Sequence, residues 1–339
     1  MLPVRLCGLL LAMSASFASP AAADSGSNSS GDDVRGAETD LPDLPREVTS
    51  FGATRLGSRL FAYGGHTGSA HSYSREEQAN ELWSLDLDDP EAGWTTELTG
   101  PPLQGNALVA ADGRVVLLGG FTAMNADGEE QDLRSQAGVY AFAPGSSEWA
   151  ELPPLPEPRS SFDAISDDTT IYAAGGWSMQ NDAESAWHRT AWRLDLSADD
   201  PAWQPLPELL FPRRATALAL HDGRLYLLGG MAEDGPTKSV HVLELGGDAW
   251  TEGPELVGDA MAGFGCAAVP LDGRLHVTTF DGAVQRLSED GDAWEVVGQM
   301  PKKRFFHRLV PDGEDAAFIL GGGDMSVGKY AEVEKLVVE

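Results

Sequence analysis

Residues 215–230 read ATALALHDGRLYLLGG: an apolar run, the turn His221-Asp222-Gly223, a second apolar run from Arg224 to Leu228, and the pair Gly229-Gly230. An Asp-Gly pair between two apolar runs is a strong hairpin signal, because both residues tolerate the positive φ that a tight turn needs. The second run with its glycine pair recurs as Leu60 to Tyr63 before Gly64-Gly65, Val115 to Leu118 before Gly119-Gly120, Ile171 to Ala174 before Gly175-Gly176, and Ala317 to Leu320 before Gly321-Gly322. Between the Gly229 and Gly321 units, Asp272-Gly273-Arg274-Leu275 repeats Asp222-Gly223-Arg224-Leu225. Thr279-Phe280 therefore stands where a glycine pair would be, and the units number six.

The first positions of the pairs lie 55, 56, 54, 50 and 42 residues apart, and each pair but the last is followed by a tryptophan: Trp94, Trp149, Trp203, Trp250 and Trp294. A period near 50 residues, with strands and turns in every unit, marks a propeller. On these residues the sequence resembles the kelch family, whose repeat runs from a strand ending in diglycine through an aromatic residue (here Trp83, Tyr140 and Trp192) to a tryptophan. The resemblance covers nearly everything after residue 40. It implies an all-β fold, a six-bladed kelch β-propeller of four-stranded antiparallel blades, each tryptophan wedged between neighbouring blades. The sixth unit reaches only a third strand, Val333 to Glu339. Leu41-Pro42-Asp43-Leu44-Pro45 copies the end of a unit, compare Leu152-Pro153-Pro154-Leu155-Pro156. The segment around Glu38 to Leu41 is therefore expected to complete the last blade and leave no open edge, within a single domain spanning 38–339.

The first 23 residues carry one charge, Arg5, an apolar core from Leu6 to Met13, and Ala21-Ala22-Ala23 before Asp24. They read as a signal peptide cleaved after Ala23, which predicts a secreted or periplasmic protein with no membrane span. Residues 24–37, rich in Ser, Gly and Asp, read as a flexible leader. Cleavage leaves one cysteine, Cys266, in the apolar run Gly265 to Val269, where it is expected to be a small buried hydrophobe. The whole chain has 23 Lys+Arg against 53 Asp+Glu, a formal charge of −30. Such a charge argues against nucleic-acid partners and for solubility, and a monomer is expected.

From each tryptophan to the next pair the count is 25, 26, 26, 29 and 27; from pair to tryptophan it is 30, 30, 28, 21 and 15. The variation lies between the second and third strands (b and c). Because strands alternate in direction, the b–c loops and the d–a connections between units emerge on one face. Variable loops on a rigid ring are where binding concentrates. On that face Arg46, Arg159, Arg213 and Arg304 precede their pairs by 18, 16, 16 and 17 residues, with Arg214 beside them, and could receive a carboxylate. The residues following the pair positions, His66, Phe121, Trp177, Met231, Asp281 and Gly323, are expected at equivalent places on the rim, with Phe121 and Trp177 suited to a sugar ring or peptide. His307 follows Arg304. His66, His71 and His188 lack metal-ligand spacing, and nothing calls for a metal or cofactor. Aspartates at 86, 88, 89, 199, 200 and 290 fall in c–d turns on the opposite face.

These features predict an exported binding protein recognising a protein, peptide or glycan through the b–c and d–a face. The alternative is a sugar-acid mutarotase, since the sequence also resembles secreted sialic-acid mutarotases; on that resemblance Arg159, Arg213 and Arg304 would hold the carboxylate, with His66, His307 or Glu184 moving the proton. Kelch-bearing copper radical oxidases are set aside, because their site needs a tyrosine cross-linked to cysteine, and Cys266 lies in a strand of the unit without a glycine pair.

Overall fold

A computed structural model describes residues 34–339 except Asp182; the expected signal peptide and the leader up to residue 33 lie outside the described residues. Each unit folds as a four-stranded antiparallel blade. Blade 4 is built of Ala217–His221, Arg224–Leu228, Val240–Glu244 and Thr251–Glu252, hydrogen-bonded in that order. The innermost strands stand side by side around the axis, each beside that of the next blade, and the sixth returns to the first. The chain is thus an all-β, six-bladed propeller.

Blade 6 is completed from the N-terminus by Val34–Glu38, paired antiparallel with Val333–Val338 from Val34↔Val338 to Glu38↔Glu334. The strand ends where 38–41 was expected to begin it, so residues 34–37, read as leader, belong to the sheet. Gly36 in this strand lies against the Pro301 ring, which a Cβ there would approach to 2.4 Å. The same strand also pairs in parallel with Trp294–Gln299 of blade 5, joining the two blades into one sheet.

Each tryptophan is a wedge with a hydrogen-bonded end. The indole Nε1 donates to the preceding blade: Trp94 to Pro42 O at 3.0 Å, Trp149 to Thr99 O at 3.1 Å, Trp203 to Pro153 O at 2.8 Å, Trp250 to Pro207 O at 2.9 Å and Trp294 to Pro254 O at 3.0 Å. An indole N–H packed into a joint needs such a partner, and here each bond ties a blade to the one before it.

The glycine pairs explain the repeat. In five units both glycines have positive φ, for example 58° at Gly229 and 100° at Gly230, which a residue with a Cβ adopts only at a cost. The second glycine donates its N–H across the joint to the next blade's d–a connection: Gly65 to Leu103 O at 2.9 Å, Gly120 to Arg159 O at 2.8 Å, Gly176 to Arg213 O at 2.7 Å, Gly230 to Gly263 O at 2.7 Å and Gly322 to Val48 O at 3.0 Å. Blade 5 has no pair; at the second position Phe280 N donates to Ala262 O of its own blade's connection at 3.1 Å instead of to the next blade, and the strand pairing of Val34–Glu38 on the outer rim joins blade 5 to blade 6.

The axis is crossed by one ion pair. Arg308, opening the inner strand of blade 6, reaches Asp163, opening that of blade 3, at 2.8 Å, and its guanidinium also donates to Phe51 O and Asn106 O in blades 1 and 2. Asp163 Oδ2 in turn accepts from Leu218 N of blade 4 at 2.9 Å. One residue pair therefore ties five blades across the ring.

A Gly229→Ala substitution places a methyl at 2.3 Å from Gly263 O and forces a left-handed alanine. The expected loss is about 2–4 kcal/mol of stability, read as a lower urea midpoint, whereas Gly246→Ala, whose added Cβ meets nothing within 4 Å, is expected to lose about 1 kcal/mol. Equal losses would remove the packing argument.

Candidate binding site on the loop face

The d–a connections place one left-handed residue from every blade at the mouth of the ring: Ser50, Gly105, Ser161, Ala215, Gly265 and Phe306, with φ between 51° and 61°. Their backbones join in sequence, Gly105 N to Ser50 O at 2.6 Å, Ser161 N to Gly105 O at 2.8 Å, Ala215 N to Ser161 O at 2.7 Å, Gly265 N to Ala215 O at 3.3 Å and Phe306 N to Gly265 O at 2.9 Å. With the Arg308–Asp163 pair just beneath, this ring makes the mouth a cup with a floor.

The arginine series divides. Arg159, Arg213 and Arg304 are fully buried, and each serves its own blade. Arg213 donates to Gly229 O at 3.2 Å, Ser239 O at 2.7 Å and Leu227 O at 3.1 Å, with its guanidinium 5.1 Å from the Phe211 ring centre. Arg159 repeats this on Gly175 O and Thr190 O and pairs with Glu157, and Arg304 on Gly321 O and Glu334. A fork that satisfies the first glycine's carbonyl and the start of strand c is a scaffold part. The expectation that these three converge on a ligand is corrected: the backbone sends each side chain back into its blade. Blade 1 carries Val48 at this place; Arg46, two residues earlier, is half-exposed and paired with Glu81 at 2.9 Å.

Three further candidates are occupied. His307 is buried against Thr278 Oγ1 at 2.7 Å, and burial beside Arg304 and Arg308 pushes its pKa down to about 3, so it stays neutral away from the surface. His66 is buried with Nε2 on Ser69 O at 2.9 Å, its pKa lowered by burial. Phe121 is 6% exposed and supports Tyr73, ring centres 5.7 Å apart. Cys266 is buried, burial pushing its thiol up to about 12, which leaves it protonated and inert as expected.

Arg214 and Trp177 remain open to a ligand. The b–c segments of blades 2, 3, 4 and 6 rise as small hairpins, and that of blade 3 pairs Trp177–Ser178 with Ala186–Trp187. The Arg214 guanidinium lies 4.1 Å from the Trp177 ring centre and 5.3 Å from that of Trp187. Its charge also acts on the phenol of Tyr73, which burial otherwise raises. Among the described residues no group accepts a hydrogen bond from this guanidinium, and its Nε is buried without a partner. Glu184 is exposed on the same hairpin.

Sequence reasoning missed an aromatic cluster on the blade 5–6 side: Phe264, Phe280, Phe305 and Phe306, half-buried, with Phe280 stacked on Phe305 at 5.4 Å and Phe264 5.1 Å from Phe306. The missed signal was the position after each buried arginine or its equivalent. Around the ring it reads Thr49, Gln104, Ser160, Arg214, Phe264 and Phe305, and five of these bridge to the residue that follows a glycine pair, the rim position expected from sequence: Thr49 to His66, Gln104 to Phe121, Ser160 to Trp177, Arg214 to Met231 and Phe305 to Gly323.

A Kelch motif model matches residues 212–257, the stretch that carries Arg213, the glycine pair and Trp250. The repeat of blade 4 is a kelch repeat. Beta-scruin of Limulus polyphemus is 26% identical over 199 residues, 56% of this chain and 20% of that protein. N-acetylneuraminate epimerase of Brucella suis (strain ATCC 23445 / NCTC 10510) is 27% identical over 113 residues, 33% of this chain and 26% of that protein. The solved structure of YjhT shares the kelch-propeller fold at a TM-score of 0.69 and 15% identity, covering 86% of this chain and 95% of that one. The chain spans less than half the length of these curated relatives.

The two adjacent arginines are expected to behave oppositely. Arg213→Ala strands three buried carbonyls and should cost about 3–5 kcal/mol in urea unfolding, while Arg214→Ala should cost under about 1 kcal/mol. The buried histidine gives a pH signature. The folded pKa of His307 lies below its unfolded value near 6.5, so the unfolded chain takes up the proton first and stability falls as pH drops below about 6.5, by up to about 1.4 kcal/mol per pH unit. Glu334, raised by burial, works the other way, so the readout is a difference: a His307→Gln variant should show a shallower loss between pH 6.5 and 4.5 than the parent.

Proposed function

We propose that this kelch protein is an exported binding protein that captures a partner on its b–c and d–a loop face. The observation that carries this reading is Arg214, a cation on two tryptophan rings with no hydrogen-bond partner among the described residues, in a cup with a fixed floor. Kelch repeats support an interaction scaffold, and among the described residues no helix is long and apolar enough to cross a membrane. Export rests on the N-terminal sequence read above. A protein or peptide partner suits a rim of hairpins and half-exposed aromatic rings, where large rigid side chains bury area at little entropic cost.

The sugar-acid mutarotase reading is favoured by the similarity to N-acetylneuraminate epimerase, but the residues assigned to it do not serve. Arg159, Arg213 and Arg304 are enclosed in their blades and His307 is buried, which leaves Glu184 at a hairpin and Arg214 as its available groups.

The test is a displayed peptide library and a glycan array probed with the protein, a Trp187→Ala/Arg214→Gln double variant, and Arg114→Gln on the opposite face, where Arg114 pairs with Asp112. Capture should vanish in the double variant and persist in Arg114→Gln. The reverse pattern would place recognition on the other face, and accelerated anomer exchange of N-acetylneuraminate with both panels blank would favour the mutarotase.

A further inference from the structure

The mouth of the ring combines two features that are separate in sequence. One is the unfilled fork of Arg214. A guanidinium presents paired donors that match a carboxylate, and here the two tryptophan faces orient it while leaving its hydrogen-bonding capacity unused by the described residues. The other is the phenylalanine cluster on the neighbouring d–a connections. The bond from Gly265 N to Ala215 O holds the segment of Phe264 directly beside that of Arg214, and Phe306 follows in the same backbone ring.

Phe306 is conformationally costly. It sits at φ 54°, a region that a bulky residue occupies at a cost of about 1–2 kcal/mol, where the other blades use Ser, Gly or Ala. The fold therefore holds an aromatic ring at the mouth against local preference. Four phenylalanines offer no hydrogen-bonding side chain to the hydroxyls of a sugar, so the cluster favours an apolar side chain. A long alkyl chain does not suit the cup either, because the Arg308–Asp163 pair crosses the channel beneath it. The chemistry of these groups matches one apolar side chain and one carboxylate.

We infer that the cup binds the free C-terminus of a polypeptide ending in an apolar residue, its terminal carboxylate on Arg214 and its last side chain on Phe264, Phe280, Phe305 and Phe306. This rests on the reading of the loop face as a binding surface and gives that surface a ligand class. Capture of a terminal carboxylate by oriented donors, with a pocket for the last side chain, is an established mode of peptide recognition.

The experiment measures quenching of tryptophan fluorescence on titration with three peptides: acetyl-Ser-Gly-Ala-Phe as the free acid, the same peptide as its C-terminal amide, and acetyl-Ser-Gly-Ala-Ser as the free acid. The Phe-terminated acid should bind saturably, with the amide and the Ser-terminated acid each weaker by about tenfold or more. Arg214→Gln should erase the preference for acid over amide while keeping that for Phe over Ser, and Phe305→Ala should do the converse. Unchanged melting temperatures guard against misfolding. Equal binding of acid and amide, survival of that preference in Arg214→Gln, or no binding of the Phe-terminated acid overturns the inference. If all three peptides fail while library or glycan capture still depends on Trp187 and Arg214, the binding face stands and only the C-terminal ligand falls.

Discussion

Two consecutive glycines with positive φ make this structure possible. The first turns its carbonyl into its own blade, where in blades 3, 4 and 6 it meets the arginine of the d–a connection; the second turns its N–H outward to the same connection of the next blade. In blades 3 and 4 the buried arginine is thus a shared node, its side chain closing one blade and its carbonyl accepting from the blade before. A Cβ on Gly229 would run into Gly263, and on Gly175 it would meet Arg213 O at 2.9 Å, so this geometry excludes other residues. Inter-blade spacing and the indole hydrogen bonds accompany that close approach at the five joints that carry a pair.

The node also explains why so basic a group is tolerated inside. Burial works against the guanidinium charge, bringing Arg213 down to about 9 and Arg159 to about 10, and both remain cationic at neutral pH. Arg213 is held by carbonyls alone, Arg159 and Arg304 by carbonyls and a carboxylate. Carbonyls are firm acceptors when their direction is fixed, and the glycine pair fixes it. Arg214, one residue on, meets no such carbonyls, and the contrast between the two separates scaffold from site.

Much of the fold was legible because the constraint is local. Glycine pairs, Asp-Gly turns and tryptophans at a steady distance from the next pair gave six units, their strands and the face carrying variable loops. The closing strand was anticipated but placed too late, since 41–46 resembles a repeat end and the Gly36 contact with Pro301 has no signature in sequence. The site was read less well. His66, His307, Phe121 and three arginines were singled out by residue type and position, and all proved to be packed or hydrogen-bonded. Phe264, Phe305 and Phe306 passed unnoticed, because their neighbourhood with Arg214 joins segments about fifty residues or more apart.

Sequence alone determined the number of blades, the scaffold half of each unit and the face from which variation projects, because glycine conformation and hairpin chemistry act over a few residues. The tertiary structure decided which arginine is free, which aromatic rings share the mouth and how blade 5 is held without its glycine pair. Those outcomes depend on closure of the ring, where carbonyls and rings from separate blades compete for the same space, and only the closed ring selects among them.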